Sequence, residues 1–92
     1  MDGDAAPAAR PAEASPFAPP AKRSVTIAGH QTAISLEPVF WDALCGEARR
    51  QGIPVNALIA RIDAARLAAA RPPNLASAIR CWLFDMQRAG EI

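Results

Sequence analysis

Hydrophobic and polar positions follow two different periods along this chain, and the change of period divides it. From Ser24 to Leu36, SVTIAGHQTAISL, apolar residues alternate with small polar ones every second position, which is the signature of a half-buried strand. With a reversal at Gly29-His30, Val25 and Ile27 share a face with Thr32, Ile34 and Leu36, and the opposite face carries Ser24, Thr26, Ala28, Gln31, Ala33 and Ser35. Glycine at the first central position suits a type II′ turn, and that turn sets Ile27 opposite Thr32 and Val25 opposite Ile34.

Downstream the spacing changes to three and four. Leu36, Phe40, Leu44 and Ala48 recur every four residues, which predicts a helix entered through Glu37-Pro38, flanked by Trp41, and ended by Gly52 after Arg49-Arg50-Gln51. The two arginines suit the negative end of the helix dipole. Ile53-Pro54 opens a second helix, with Val55, Leu58, Ile59, Ile62 and Ala65 as its buried stripe, running to about Ala70 before Pro72-Pro73. Asn74 is placed to cap a third helix, whose apolar face is Leu75, Ala78, Ile79, Trp82, Leu83 and Met86 and which closes at Gly90. The predicted class is therefore mainly α with a short β-ribbon. Met1 to Ala21 reads as an Ala/Pro-rich tail broken by five prolines, and residues 22–92 as the folded domain.

An isolated ribbon is marginal in water, and a core drawn from about seventy residues is thin without a staple. Cys45 and Cys81 sit inside helical patterns with no second pair, so they read as reduced packing residues. The expected remedy is a second copy, with Thr32–Leu36 pairing antiparallel with itself across a two-fold axis in an obligate homodimer. The layer joining the copies would use Ile34, Leu36, Phe40, Leu44, Leu58, Ile59 and Ile62.

Charge adds a mild bias. The tail sets Asp2, Asp4 and Glu13 against Arg10, whereas nine Lys and Arg face six acids from Lys22 onward, which permits a polyanionic partner. The start of the chain lacks the basic-then-apolar pattern of a secretory signal, and no apolar run approaches the ~20 residues of a membrane span, so a cytoplasmic location is expected. Catalysis is not: the chain has one histidine, His30, no glycine-rich phosphate loop and no metal-ligand cluster. No metal or cofactor is expected either.

The order strand, helix, glycine turn, helix in TAISLEPVFWDALCGEARRQGIPVNALIARI resembles the ribbon-helix-helix family of dimeric DNA-binding proteins. The likeness rests on the alternating strand, the Leu36/Phe40/Leu44 ladder, Gly52 and the V-N-A-L-I opening at Val55–Ile59. The longer run from Lys22 to about Met86 resembles a short bacterial subfamily with an N-terminal extension and an extra C-terminal helix. The resemblance implies a homodimeric, DNA-binding regulator of transcription, with a two-stranded ribbon in the major groove and second-helix amino ends on flanking phosphates. It assigns Gln31, Ala33 and Ser35 to the groove and the Val55 and Asn56 amides to phosphate, where Pro54 replaces a serine common in the family. Lys22 and Arg23, at the mouth of the ribbon, would lie near phosphates if the first strand bends away. The presumed reading face, Gln31, Ala33 and Ser35, holds no arginine or lysine. The alternative is a protein-interaction module, antitoxin-like, that keeps the dimer fold with weak or no DNA binding and takes a protein partner through the third helix.

Overall fold

The computed structural model describes residues 16–90 and contains an antiparallel hairpin followed by three helices. Strand β1 spans Ala21–Ile27 and β2 spans His30–Leu36; helices α1, α2 and α3 span Pro38–Gln51, Val55–Leu67 and Leu75–Arg88. The assignment of Met1 onward to a tail lies mostly outside the described residues. At its inner end, however, Ala21 belongs to β1 and pairs with Leu36.

The turn is one residue earlier than the alternation suggested. Ile27 pairs with His30, Val25 with Thr32 and Arg23 with Ile34, so the ribbon reverses at Ala28-Gly29. Both turn residues have positive φ, 51° and 83°, the backbone of a type I′ turn. Left-handed backbone costs a residue with a Cβ about 1–2 kcal/mol. In return the ladder extends to Ala21, whose carbonyl accepts a hydrogen bond from Trp41 Nε1 at 2.9 Å. Arg23 then lies over the Trp41 ring, 5.0 Å from its centre, in cation–π geometry.

Helix α1 starts at Pro38, where a missing N–H leaves no acceptor unsatisfied, and stops at Gly52 with φ 71°. The Gly52 and Ile53 amides return to the Arg49 and Ala48 carbonyls, closing the helix end. Its buried face is rotated from the expected ladder toward Trp41, Leu44 and Ala48, while Phe40 is half-buried beneath the Arg80 guanidinium. Helix α2 ends at Leu67, short of Ala70; it buries Leu58, Ile59 and Ile62, and Ala65 is exposed. Asn74 caps α3 as expected, its Oδ1 accepting the Ser77 amide at 2.8 Å. Arg80 Nε donates to Glu37 Oε1 at 2.9 Å and so ties α3 to the entrance of α1.

One face of the ribbon is covered by helices of its own chain. Helix α2 packs on β1 and α3 on β2, enclosing a core in which Leu36, Leu44, Leu58, Ile59 and Ile79 are fully buried. The inner face of the ribbon is thus covered within one chain, while no third strand joins it among the described residues. Six of the seven residues assigned to an intersubunit layer, all but Phe40, are buried within a single chain. Ala78, Ile79 and Leu83 of α3 complete that core. Cys45 is half-buried and Cys81 exposed, so a packing role does not extend to Cys81.

Candidate nucleic-acid interface

Because side chains of a strand alternate between faces, covering one face of the ribbon leaves the other to solvent. Paired residues share a face. Arg23, Val25 and Ile27, with Thr32, Ile34 and Leu36, therefore stand on the helix side, while Lys22, Ser24 and Thr26 stand outward with Gln31, Ala33 and Ser35. Burial agrees: Val25, Ile34 and Leu36 are buried, Ser35 is half-buried, and the other five outward residues are exposed.

The outward face holds the three residues expected to read the groove, and it adds a cation. Lys22 lies in β1 opposite Ser35, so the ribbon's exposed face is not devoid of lysine. Arg23 is separated from Lys22 by the alternation and by its stack on Trp41. Arg23, still exposed, joins the ribbon to α1 through that stack.

Backbone geometry defines the open edge. The two-residue turn makes Ile27 and His30 a hydrogen-bonded pair, and alternation along the ladder then directs the N–H and C=O groups of Gln31, Ala33 and Ser35 away from β1. The described sheet has two strands, so no strand pairs with that edge among the described residues. Beside it a shallow cleft of about 360 Å³ is bounded by Thr32–Ser35 and Asn74–Ala76.

The second expected element is the start of α2. Pro54 occupies the cap position without a side-chain hydrogen bond, and its carbonyl accepts from Ala57 and Leu58. The Val55 and Asn56 amides precede the first helical bonds and face the positive end of the dipole. Asn56 is exposed and Val55 half-buried.

Just ahead of that terminus lies a group the alternation and helix patterns did not reveal. Glu47 on α1 is 3% exposed, yet charged. Arg50 grips it through Nε at 2.8 Å and Nη2 at 2.6 Å, and Gln51 Nε2 adds a third hydrogen bond at 2.6 Å. The Arg50 hydrogen bonds first, and that of Gln51 second, hold the Glu47 carboxyl below its ordinary pKa. Gln51 Oε1 in turn accepts from Arg61 Nη1 of α2 at 2.8 Å. The sequence signal for this network is a glutamate followed three and four residues later by arginine and glutamine, a spacing that brings side chains together on a helix.

A family model described as the ribbon-helix-helix domain matches residues 20–86. The chain belongs to the ribbon-helix-helix family. The match takes in both strands and nearly all of α3, so the extra strand and helix are part of the domain. Among solved structures, this ribbon-helix-helix chain is similar to an uncharacterized protein from Bordetella pertussis Tohama I, with a TM-score of 0.63 and 31% identity. The likeness covers 79% of this chain and 62% of that one, so it spans less than two thirds of the neighbour's length. No curated protein matches the chain.

Proposed function

We propose that the protein is a sequence-specific DNA-binding regulator of transcription that acts as a homodimer, with the outward face of the ribbon in the major groove. The observation that carries this reading is that face: two paired strands with small polar side chains and Lys22 turned to solvent, on a scaffold of the ribbon-helix-helix family. A two-stranded ribbon fits a groove about 12 Å wide. Each outward side chain has a use there. The Gln31 amide can donate to and accept from an adenine edge, the Ala33 methyl can meet a thymine methyl, and Ser24, Thr26 and Ser35 supply hydroxyls. The short side chains let the backbone approach the base edges closely.

The free edge of β2 supports pairing with its copy, Ala33 opposite Ser35 across the two-fold axis. Four strands would span about 14 Å at the usual spacing, more than a groove admits flat. The right-handed twist, about 20–25° between neighbours, turns the outer β1 strands away from the central pair and brings Lys22 toward phosphate. The amides at the start of α2 then serve as phosphate anchors.

The test is selection of genomic fragments with purified protein, followed by fluorescence anisotropy on a selected and a random duplex. Wild type should prefer the selected duplex, and Ser35→Glu should lose binding while keeping its melting temperature, since a carboxylate on that face meets phosphates and base acceptors. Equal binding by Ser35→Glu and wild type would contradict the proposal.

Phe84, 66% exposed, and Val39, 42% exposed, favour a second reading in which the domain is a protein-interaction module. With Phe40, Ala43, Leu83 and Gln87 they border an apolar groove of about 190 Å³ between α1 and α3. In that reading the third helix carries the partner and DNA affinity is weak.

A further inference from the structure

We infer that the corner between α1 and α2 is a second contact surface for the DNA backbone, in which Arg49 and Arg61 bind phosphodiester groups and Gln51 orients Arg61. This rests on the DNA-binding reading above and adds to it a surface outside the ribbon and beyond the amides of α2. Arg49 and Arg50 stand in the last turn of α1, and Arg61 of α2 is hydrogen-bonded to Gln51 at the end of α1; all three arginines are exposed. The carboxylate in the group, Glu47, is already taken up by Arg50 and Gln51, so it neutralises one arginine and leaves two.

Arg61 differs from the other arginines that make side-chain hydrogen bonds. Arg66, Arg80 and Arg88 are each matched by a carboxylate, from Asp63, Glu37 and Asp85 respectively. The Arg61 partner is the neutral Gln51 oxygen, which fixes the guanidinium without cancelling its charge. A cation oriented before binding gives up less freedom on contact, and a planar guanidinium matches phosphate geometry. Arg49 adds a second positive charge in the last turn of α1, with no carboxylate partner among the described residues.

The corner also adjoins the start of α2, whose Val55 and Asn56 amides serve as phosphate anchors in the reading above. Helix α1 leaves the ribbon at Leu36 and has fourteen residues, which carry its far end roughly 20 Å away. A contact there therefore falls outside the base pairs that the ribbon meets.

The experiment compares wild type with the double variant Arg49→Gln, Arg61→Gln, leaving Arg50 in place to satisfy Glu47. Anisotropy is measured from low to physiological salt on the selected and the random duplex, and a thermal melt verifies that the variant folds. Loss of two phosphate contacts per chain should reduce the slope of log affinity against log salt by about 1.8 per chain. Equivalently, the fall in affinity between 50 and 200 mM salt should shrink about twelve-fold per chain. Affinity at low salt should drop on both duplexes alike, preserving their ratio. An unchanged slope in a variant that still discriminates between the duplexes overturns this inference and leaves the ribbon reading intact. A changed ratio also overturns it, because the arginines would then be reading bases. Wild type that binds neither duplex at low salt overturns the DNA reading itself, and this inference with it.

Discussion

The turn at Ala28-Gly29 can be tested by a substitution that separates it from the neighbouring alternative. Ala28 has φ 51°, a backbone that costs a residue with a Cβ about 1–2 kcal/mol and that asparagine tolerates better. Ala28→Asn creates an Asn-Gly pair, the preferred type I′ sequence, and should recover about 1 kcal/mol, or roughly 4–8 °C in Tm for a domain of this size. Gly29→Ala provides the matching loss. A Cβ at Gly29 would meet no atom within 4 Å, so its cost is conformational alone, about 1–2 kcal/mol. Urea and thermal denaturation of both variants give the two numbers, and an unchanged urea m-value confirms that the unfolded state is the same. If the chain reversed at Gly29-His30 instead, Ala28 would be an extended strand residue opposite Gln31. Asparagine is disfavoured in strands, so Ala28→Asn would then lower Tm. A fall, or no change, refutes the register.

Three further outcomes follow from the packing. Leu58→Ala empties a fully buried site and should cost about 3–5 kcal/mol in urea denaturation, whereas Leu67→Ala, 59% exposed, should stay within about 0.5 kcal/mol. Equal costs would mean that α2 faces the other way. Because Glu47 has a folded-state pKa below its ordinary value near 4.5, its stabilisation is present above that value and is lost as pH falls through the folded pKa. The urea midpoint of wild type should therefore drop between pH 6 and pH 3, and Glu47→Gln should flatten part of that drop; identical pH profiles would remove Glu47 from the account. Ala33→Pro deletes an outward N–H on the free edge of β2, so sedimentation should find a folded monomer where wild type is a dimer. Wild type sedimenting as a monomer, or a variant that still dimerises, would exclude pairing through β2.

The faces of the ribbon were legible in the sequence and its register was not, for one physical reason. A slip of one residue exchanges the faces of a strand, whereas moving the turn by one position changes the sum of paired numbers by two and leaves every side chain on its own face. Alternation cannot see that difference. What decides it is remote in sequence: Trp41 Nε1 donates to the Ala21 carbonyl, and the Trp41 ring stacks with Arg23. The same contact explains why Trp41 displaced Phe40 in the core, since spacings of three and four fit Trp41, Leu44 and Ala48 as well as the ladder through Phe40. It also extends β1 to include Lys22, the cation absent from the expected reading face. Helix boundaries at Pro38, Gly52 and Asn74 were readable because each depends on a local backbone property. The burial of Glu47 was not, because charge is ordinarily a surface signal, even though its partners Arg50 and Gln51 stand three and four residues on along the same helix. The amphipathic pattern of α3 predicted that it would bury a face, and the structure adds the location: against the inner face of β2 and the other two helices, leaving the edge of β2 open.

Contact between the outward face of the ribbon and DNA can be followed at every backbone amide by NMR, titrating isotopically labelled protein with the selected duplex. The largest shifts should fall at Lys22, Ser24, Thr26, Gln31, Ala33 and Ser35, with a second group at Val55 and Asn56, and little change at Val39 and Phe84. Shifts concentrated at Val39 and Phe84, or none on the ribbon at a duplex concentration that saturates the anisotropy signal, would contradict it.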